Sequence, residues 1–108
     1  MLYELRIYRV VPGKMPAVLK RFETRTLKIW ERLGIRPVGF WTTLIGPSHL
    51  ELVYILAWES MQEWQQKWGA FVVDPEWLEV RAETEKDGAI VGGIANSILS
   101  PTAFSPLK

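Results

Sequence analysis

The sequence predicts an α+β fold in which four strands and two helical regions follow one another as β-α-β-β-α-β. Three observations point there. Apolar and polar residues alternate strictly at the start of the chain, two longer stretches carry apolar residues at helical spacing, and Gly and Pro clusters separate these segments. The chain has 108 residues, the size of one domain, and 48% of them are hydrophobic, enough for a buried core.

Residues 2–10, LYELRIYRV, place Leu2, Glu4, Arg6 and Tyr8 on one face and Tyr3, Leu5, Ile7 and Arg9 on the other. They read as a strand closed by Pro12-Gly13. Pro16 suits the first turn of a helix whose stripe is Met15, Val18, Leu19, Phe22, Thr26, Ile29, Trp30 and Leu33, and Gly34 is its C-terminal cap. Residues 39–45 form the second strand, and Gly46-Pro47-Ser48-His49 turns the chain into a third over residues 50–58. Ser60 and Glu63 make a capping box that opens a helix with Met61, Trp64, Trp68 and Phe71 inward. Asp74-Pro75-Glu76-Trp77 starts a further helix running towards Thr84. Residues 89–99 are the fourth strand, ended by Pro101. This order is the ferredoxin-like unit, one antiparallel sheet with its helices on one face. The expected single domain is 1–108, with residues 2–99 as the folded unit and 100–108 as an arm.

Charge and composition exclude several function classes. Thirteen Lys and Arg against twelve Asp and Glu leave a net charge of +1, without the basic excess that drives nucleic-acid binding. RNA-recognition domains share the element order, but the third strand here, LELVYILAW, lacks their basic-Gly start and aromatic alternation. With no Cys and one His, a thiolate nucleophile, a Cys-based metal site and a multi-His metal site within one chain are excluded. His49 stands at the hairpin turn with no acidic partner placed to activate it. Residues 88–107 carry no charge, but Gly88, Gly92, Gly93, Pro101, Pro106, Asn96 and four hydroxyl residues make them a poor membrane span. The opening residues carry Glu4, Arg6 and Arg9 and do not read as a targeting segment, so a cytoplasmic location is expected.

The charge is divided between the helical regions. Residues 14–36 hold seven basic against two acidic residues, a net of +5, and residues 59–87 hold eight acidic against three basic, a net of −5. Helices side by side on one sheet face would attract each other through this division. Alternatively, the basic helix is a docking surface.

Two helices cover only one face of a four-stranded sheet, and a water-covered second face would demand alternation. The third strand does not alternate: Leu52, Tyr54, Leu56 and Trp58 share one face, and Val53, Ile55 and Ala57 share the other. Such a strand needs a second apolar surface, most simply another copy of the chain, so a homodimer is expected.

Tyr3-Glu4-Leu5-Arg6-Ile7-Tyr8 followed by Pro12-Gly13-Lys14 resembles the start of NIPSNAP-family domains. Gly39-Phe40-Trp41-Thr42 running into Gly46-Pro47, the strand end Leu56-Ala57-Trp58, Asp74-Pro75-Glu76-Trp77 and the ending Ser100-Pro101-Thr102-Ala103-Phe104-Ser105-Pro106-Leu107 extend the likeness over the whole chain. The resemblance implies a dimeric α+β barrel built from two face-to-face ferredoxin-like sheets. The wider superfamily includes cofactor-free monooxygenases, haem-binding and haem-degrading enzymes and isomerases, whereas NIPSNAP domains have no well-established reaction. No cofactor is expected here, because the second helix has no His to take a haem.

The Glu4, Arg6 and Tyr8 trio is the most unusual feature. It either anchors an anionic or carbonyl-bearing ligand through Arg6 or forms an internal salt bridge serving a dimer contact. Trp41, Thr43, Tyr54 and Asn96 are further candidate ligand contacts in an aromatic cavity, although Trp and Tyr at such positions are more often plain core. No catalytic or metal-binding residue is assigned. The functional expectation is a homodimeric domain binding a small apolar or aromatic ligand, with monooxygenase-like or isomerase-like chemistry open. The alternative is a non-catalytic protein-interaction module.

Overall fold

In the computed structural model, which describes residues 1–108, four strands and three helices form one layer of each. The order is β1 (Leu2–Val10), a helix α1 in three continuous pieces, β2 (Arg36–Thr42), β3 (Glu51–Trp58), α2 (Met61–Val72), α3 (Pro75–Thr84) and β4 (Val91–Leu99). The strands make a single antiparallel sheet in the order β2-β3-β1-β4. The expected α+β, ferredoxin-like architecture is therefore present, with β1 and β3 at its centre.

Helix α1 departs from one regular period. It is α-helical over Met15–Arg21, π-helical over Phe22–Thr26 and α-helical again over Leu27–Leu33. The wider central turn rotates the two halves relative to each other. In the first piece Leu19, expected inside, is exposed, while Arg21, three residues after the buried Val18, is buried. Gly34 ends the helix with φ 78°, a left-handed conformation that glycine adopts without Cβ strain.

The second strand lies earlier than residues 39–45, because its pairing with β3 begins at Arg36 opposite Ala57 and ends at Thr42 opposite Leu52. A register shift between Pro37 and Gly39 absorbs Val38. Residues 43–50 are consequently a loop, and its Leu44 and Ile45 are 86% and 92% exposed. The fourth strand begins at Val91, with a bulge between Arg9 and Val10 opposite residues 91–93.

Ser60 caps α2 by accepting the Glu63 N–H at 3.1 Å. The return arm of the expected box reaches one residue further back, where Glu63 Oε1 accepts the Glu59 N–H at 3.1 Å. Met61, placed inward by the sequence pattern, is exposed in the first turn. Asp74 caps α3 by accepting the Trp77 N–H at 3.1 Å, with Pro75 in the first turn.

The core lies between the sheet and the helices. It joins Val18, Phe22, Ile29 and Trp30 of α1 to Leu52, Tyr54, Leu56 and Trp58 of β3, with Phe71 and Val80 closing it. Trp30 packs edge-on against Phe22 and Phe71, at centroid distances of 5.5 and 5.8 Å. Burying one such indole removes about 200 Å² from water, worth roughly 5 kcal/mol at ~25 cal/mol/Å².

The divided charge does what mutual attraction requires. Arg21 pairs with Glu85, Arg25 with Glu83, Arg32 with Asp74 and Glu76, and Arg36 with Glu59 and Glu63, every pair joining the basic segment to the acidic one. The opposite face of the sheet has no helix on it. There Leu5, Ile7, Val53, Ile55 and Leu99 stay partly or largely exposed, so the two-sided apolar character of the strands is real and one side lacks a cover in the single chain. No helix is long and apolar enough to cross a membrane.

Candidate functional site

Period-two alternation in β1 puts Glu4, Arg6 and Tyr8 on the helix-covered face, and antiparallel register brings three further residues beside them. Arg6 lies opposite Tyr54 on β3 and opposite Asn96 on β4, while Glu4 is one pair along from Trp58. The Glu4 carboxylate is fully enclosed, at 0% exposure. It accepts from Arg6 Nη1 at 3.0 Å, Asn96 Nδ2 at 3.0 Å and Trp58 Nε1 at 3.1 Å. A buried carboxylate is tolerated when donors of this kind and an opposite charge replace its lost water.

Arg6 is held from three sides. Beyond Glu4, its Nε donates to the Tyr54 hydroxyl at 2.7 Å, and its guanidinium lies 4.4 Å from the centre of the Trp68 ring, a cation–π distance. The Tyr54 hydroxyl donates in turn to the Tyr8 hydroxyl at 3.1 Å. Burial opposes the Arg6 charge, but the phenols of Tyr54 and Tyr8, together with Glu4, more than offset this and hold its pKa above the ordinary arginine value. Burial, reinforced by Tyr8 and opposed by Arg6, pushes the Tyr54 phenol well above the usual tyrosine range. Tyr54 is thus a neutral hydroxyl linking arginine to Tyr8.

Arg6 and Tyr8 open onto a cavity of about 400 Å³ between the β1–β4 side of the sheet and the helices α2 and α3. Its aromatic wall is continuous, with Trp68 and Phe71 centroids 5.0 Å apart and Phe71 and Trp77 centroids 4.8 Å apart. Across from it runs the bulged start of β4 at Gly92 and Gly93. Arg21, Arg81 and Glu85 also line the cavity. Arg21 Nη1 donates to Thr84 Oγ1 at 3.1 Å and Glu85 Oε2 at 3.2 Å, and its guanidinium sits 5.1 Å from the Trp77 ring centre. Arg81 Nε shares the same Glu85 oxygen at 3.3 Å. A volume of this size, with an aromatic wall beside fixed polar and charged groups, suits a small organic molecule. No three His, Cys, Asp or Glu side chains gather as a metal site.

Of the seven candidate ligand contacts, Arg6 and Tyr8 line the cavity, and Glu4, Tyr54 and Asn96 brace them from behind. Trp41 and Thr43 lie elsewhere. Trp41 pairs with Val53 on the open face and is 51% exposed, folded over Gly39, and Thr43 follows the end of β2. The trio is a salt bridge plus a tyrosine, yet it faces the helices and takes no part in the open face. Sequence reasoning missed Trp58, Trp68, Trp77, Arg21, Arg81 and Glu85. Trp58 was legible from its shared face with Tyr54; Arg21 was not, because the packing of α1 beside α3 is what brings it to the cavity.

The chain matches the model of the NIPSNAP family over residues 3–106. No curated protein matches it. Among solved structures, protein Atu4242 from Agrobacterium tumefaciens is 34% identical, covers 100% of both chains and superimposes with a TM-score of 0.84. An uncharacterised NIPSNAP domain protein from Burkholderia xenovorans is 26% identical over 98% of this chain and 99% of its own, with a TM-score of 0.84. A Nitrosomonas europaea protein named after antibiotic biosynthesis monooxygenases shares the fold at 12% identity, covering 94% of this chain and 98% of its own, with a TM-score of 0.65.

Proposed function

Because the chain belongs to the NIPSNAP family, we propose that it works as a homodimeric domain binding a small apolar or aromatic molecule in the cavity that Arg6 and Tyr8 open onto. The observation that carries this reading is a buried arginine with capacity to spare. Arg6 is neutralised by Glu4 and fixed by Tyr54 and Trp68, yet its Nη2 has no hydrogen-bond partner within the protein. A guanidinium retained at a cavity with a free donor is a ready binding group. The enzymatic form of the reading, cofactor-free monooxygenase-like or isomerase-like chemistry, would use the same group to stabilise an oxyanion on the substrate.

The homodimer is proposed from the uncovered sheet face. Leu5, Ile7, Val53 and Ile55 occupy the two central strands there, and a second copy would bury them through a two-fold interface. The alternative, a non-catalytic interaction module, predicts a charged pair closed on itself with no cavity beside it; the leftover Arg6 donor and the cavity favour the first reading.

Native mass spectrometry of freshly purified protein, followed by denaturation of the same sample, tests both parts. A dimer that releases a small molecule supports the proposal. A dimer that carries nothing and takes up no small molecule from a mixed aromatic library shifts the role to an interaction module. A monomer refutes the assembly.

A further inference from the structure

We infer that the molecule this cavity takes is an aromatic carboxylate, its acid group received by Arg6 Nη2 and the Tyr8 hydroxyl and its ring held along the Trp68–Phe71–Trp77 wall. The inference rests on the small-molecule reading of the same cavity and follows from hydrogen-bond capacity. At the inner end of the cavity the one carboxylate is turned away from the ligand space. Glu4 Oε1 receives Trp58, Glu4 Oε2 receives Arg6 and Asn96, and the carboxylate is sealed from the cavity. Arg6 can only donate, so the Tyr54 oxygen is its acceptor, and the single Tyr54 proton goes to Tyr8. The Tyr8 proton and the Nη2 protons are left. A pole made of a charged N–H group and a hydroxyl with its proton free matches a group made only of acceptors.

Charge selects the carboxylate over a neutral carbonyl. Three arginines line the cavity, Arg6, Arg21 and Arg81, against Glu85 at its rim and Glu4 behind it, which leaves one positive charge unmatched. Arg21 is spent on Thr84 and Glu85, so Arg6 is the arginine with a donor to offer. The aromatic ring follows from the walls. Trp68, Phe71 and Trp77 form one continuous aromatic surface, and the facing stretch of β4 is glycine backbone at a bulge, with no side chain at Gly92 or Gly93 to fill the space opposite.

The test is isothermal titration calorimetry of the full-length protein with 2-naphthoate and with 2-naphthalenemethanol, a neutral partner of similar shape. The acid is expected to bind at least about tenfold more tightly, as charge-assisted hydrogen bonds require. Tyr8→Phe removes one hydroxyl and keeps the ring that packs on Phe22 and Tyr54. It should weaken the acid about three- to tenfold and the alcohol by less. Equal affinity for the two probes overturns the inference, as does acid binding that Tyr8→Phe leaves untouched. A releasable passenger in the native mass spectrum combined with no naphthoate binding sinks the acid assignment alone and leaves the small-molecule reading standing.

Discussion

Replacing Glu4 by Gln keeps the shape of the side chain and removes its charge, which makes it the sharpest probe of the network behind the cavity. The amide offers one acceptor where the carboxylate serves three donors. With its NH₂ at the Oε2 position it meets Arg6 and Asn96, and at the Oε1 position it meets the Trp58 indole N–H. The second arrangement is the cheaper, and it still leaves a buried indole donor unpaired, costing about 1–3 kcal/mol. It also strips the buried Arg6 of its counter-charge, and breaking a pair of this kind costs about 3–5 kcal/mol. The two costs overlap, so Glu4→Gln is expected to lose about 3–5 kcal/mol from a domain whose whole stability is of order 5–15 kcal/mol. Urea unfolding followed by near-ultraviolet circular dichroism reads this directly. At a slope of about 2 kcal/mol/M the midpoint falls by roughly 1.5–2.5 M, with parent and variant compared at one protein concentration. Adding Arg6→Met removes the orphaned charge, and the double variant should recover at least about 2 kcal/mol relative to the sum of the single losses. A Glu4→Gln loss under about 1 kcal/mol, or strictly additive losses in the double variant, would refute the account of a charge pair sustained by burial.

Two further outcomes follow from the fold. Val53→Lys places a charge in the middle of the uncovered apolar face; on the proposed dimer, sedimentation velocity is expected to give the parent twice the single-chain mass of 12.5 kDa and the variant the single-chain mass, and a variant that stays dimeric removes this face from the proposed interface. Asp74 is held below the usual aspartate range, chiefly by its hydrogen bond from Arg32 at 2.8 Å, with burial opposing. Its folded pKa is the lower one, so its contribution is complete above the unfolded value of about 4 and disappears as pH falls through the folded value. Asp74→Asn keeps the helix cap, so the parent should exceed it in stability near neutral pH and converge with it as the pH falls through the folded value. Urea midpoints across that range check this, and a gap that persists in acid contradicts the Arg32 pairing as its source.

Much of this protein is local and therefore legible in one dimension. Alternation puts Glu4, Arg6 and Tyr8 on one face, since successive strand side chains point to opposite sides. Ser60, Asp74 and Gly34 mark helix ends because caps act within a few residues, and the opposite charges of the two helical regions announce their contact. The motifs also carried the family. Strand bounds were less secure: β2 lies three residues early because pairing with β3 decides where a strand runs, and that partner begins only after the loop 43–50.

The tertiary structure decided which face of β1 the helices cover, a question that period two leaves symmetrical. Covering it made the trio interior, so Glu4 and Arg6 had to find each other and then Trp58, Tyr54 and Asn96, the last of them 92 positions from Glu4. Sheet register sets such partners, and the packing of α1 beside α3 brings Arg21 to the same cavity, held by Thr84 and Glu85. By itself the sequence determined the elements, their chemistry and the pressure to bury both sides of the sheet. Only packing could create the cavity, because its volume is a gap between elements whose spacing no single stretch of chain encodes.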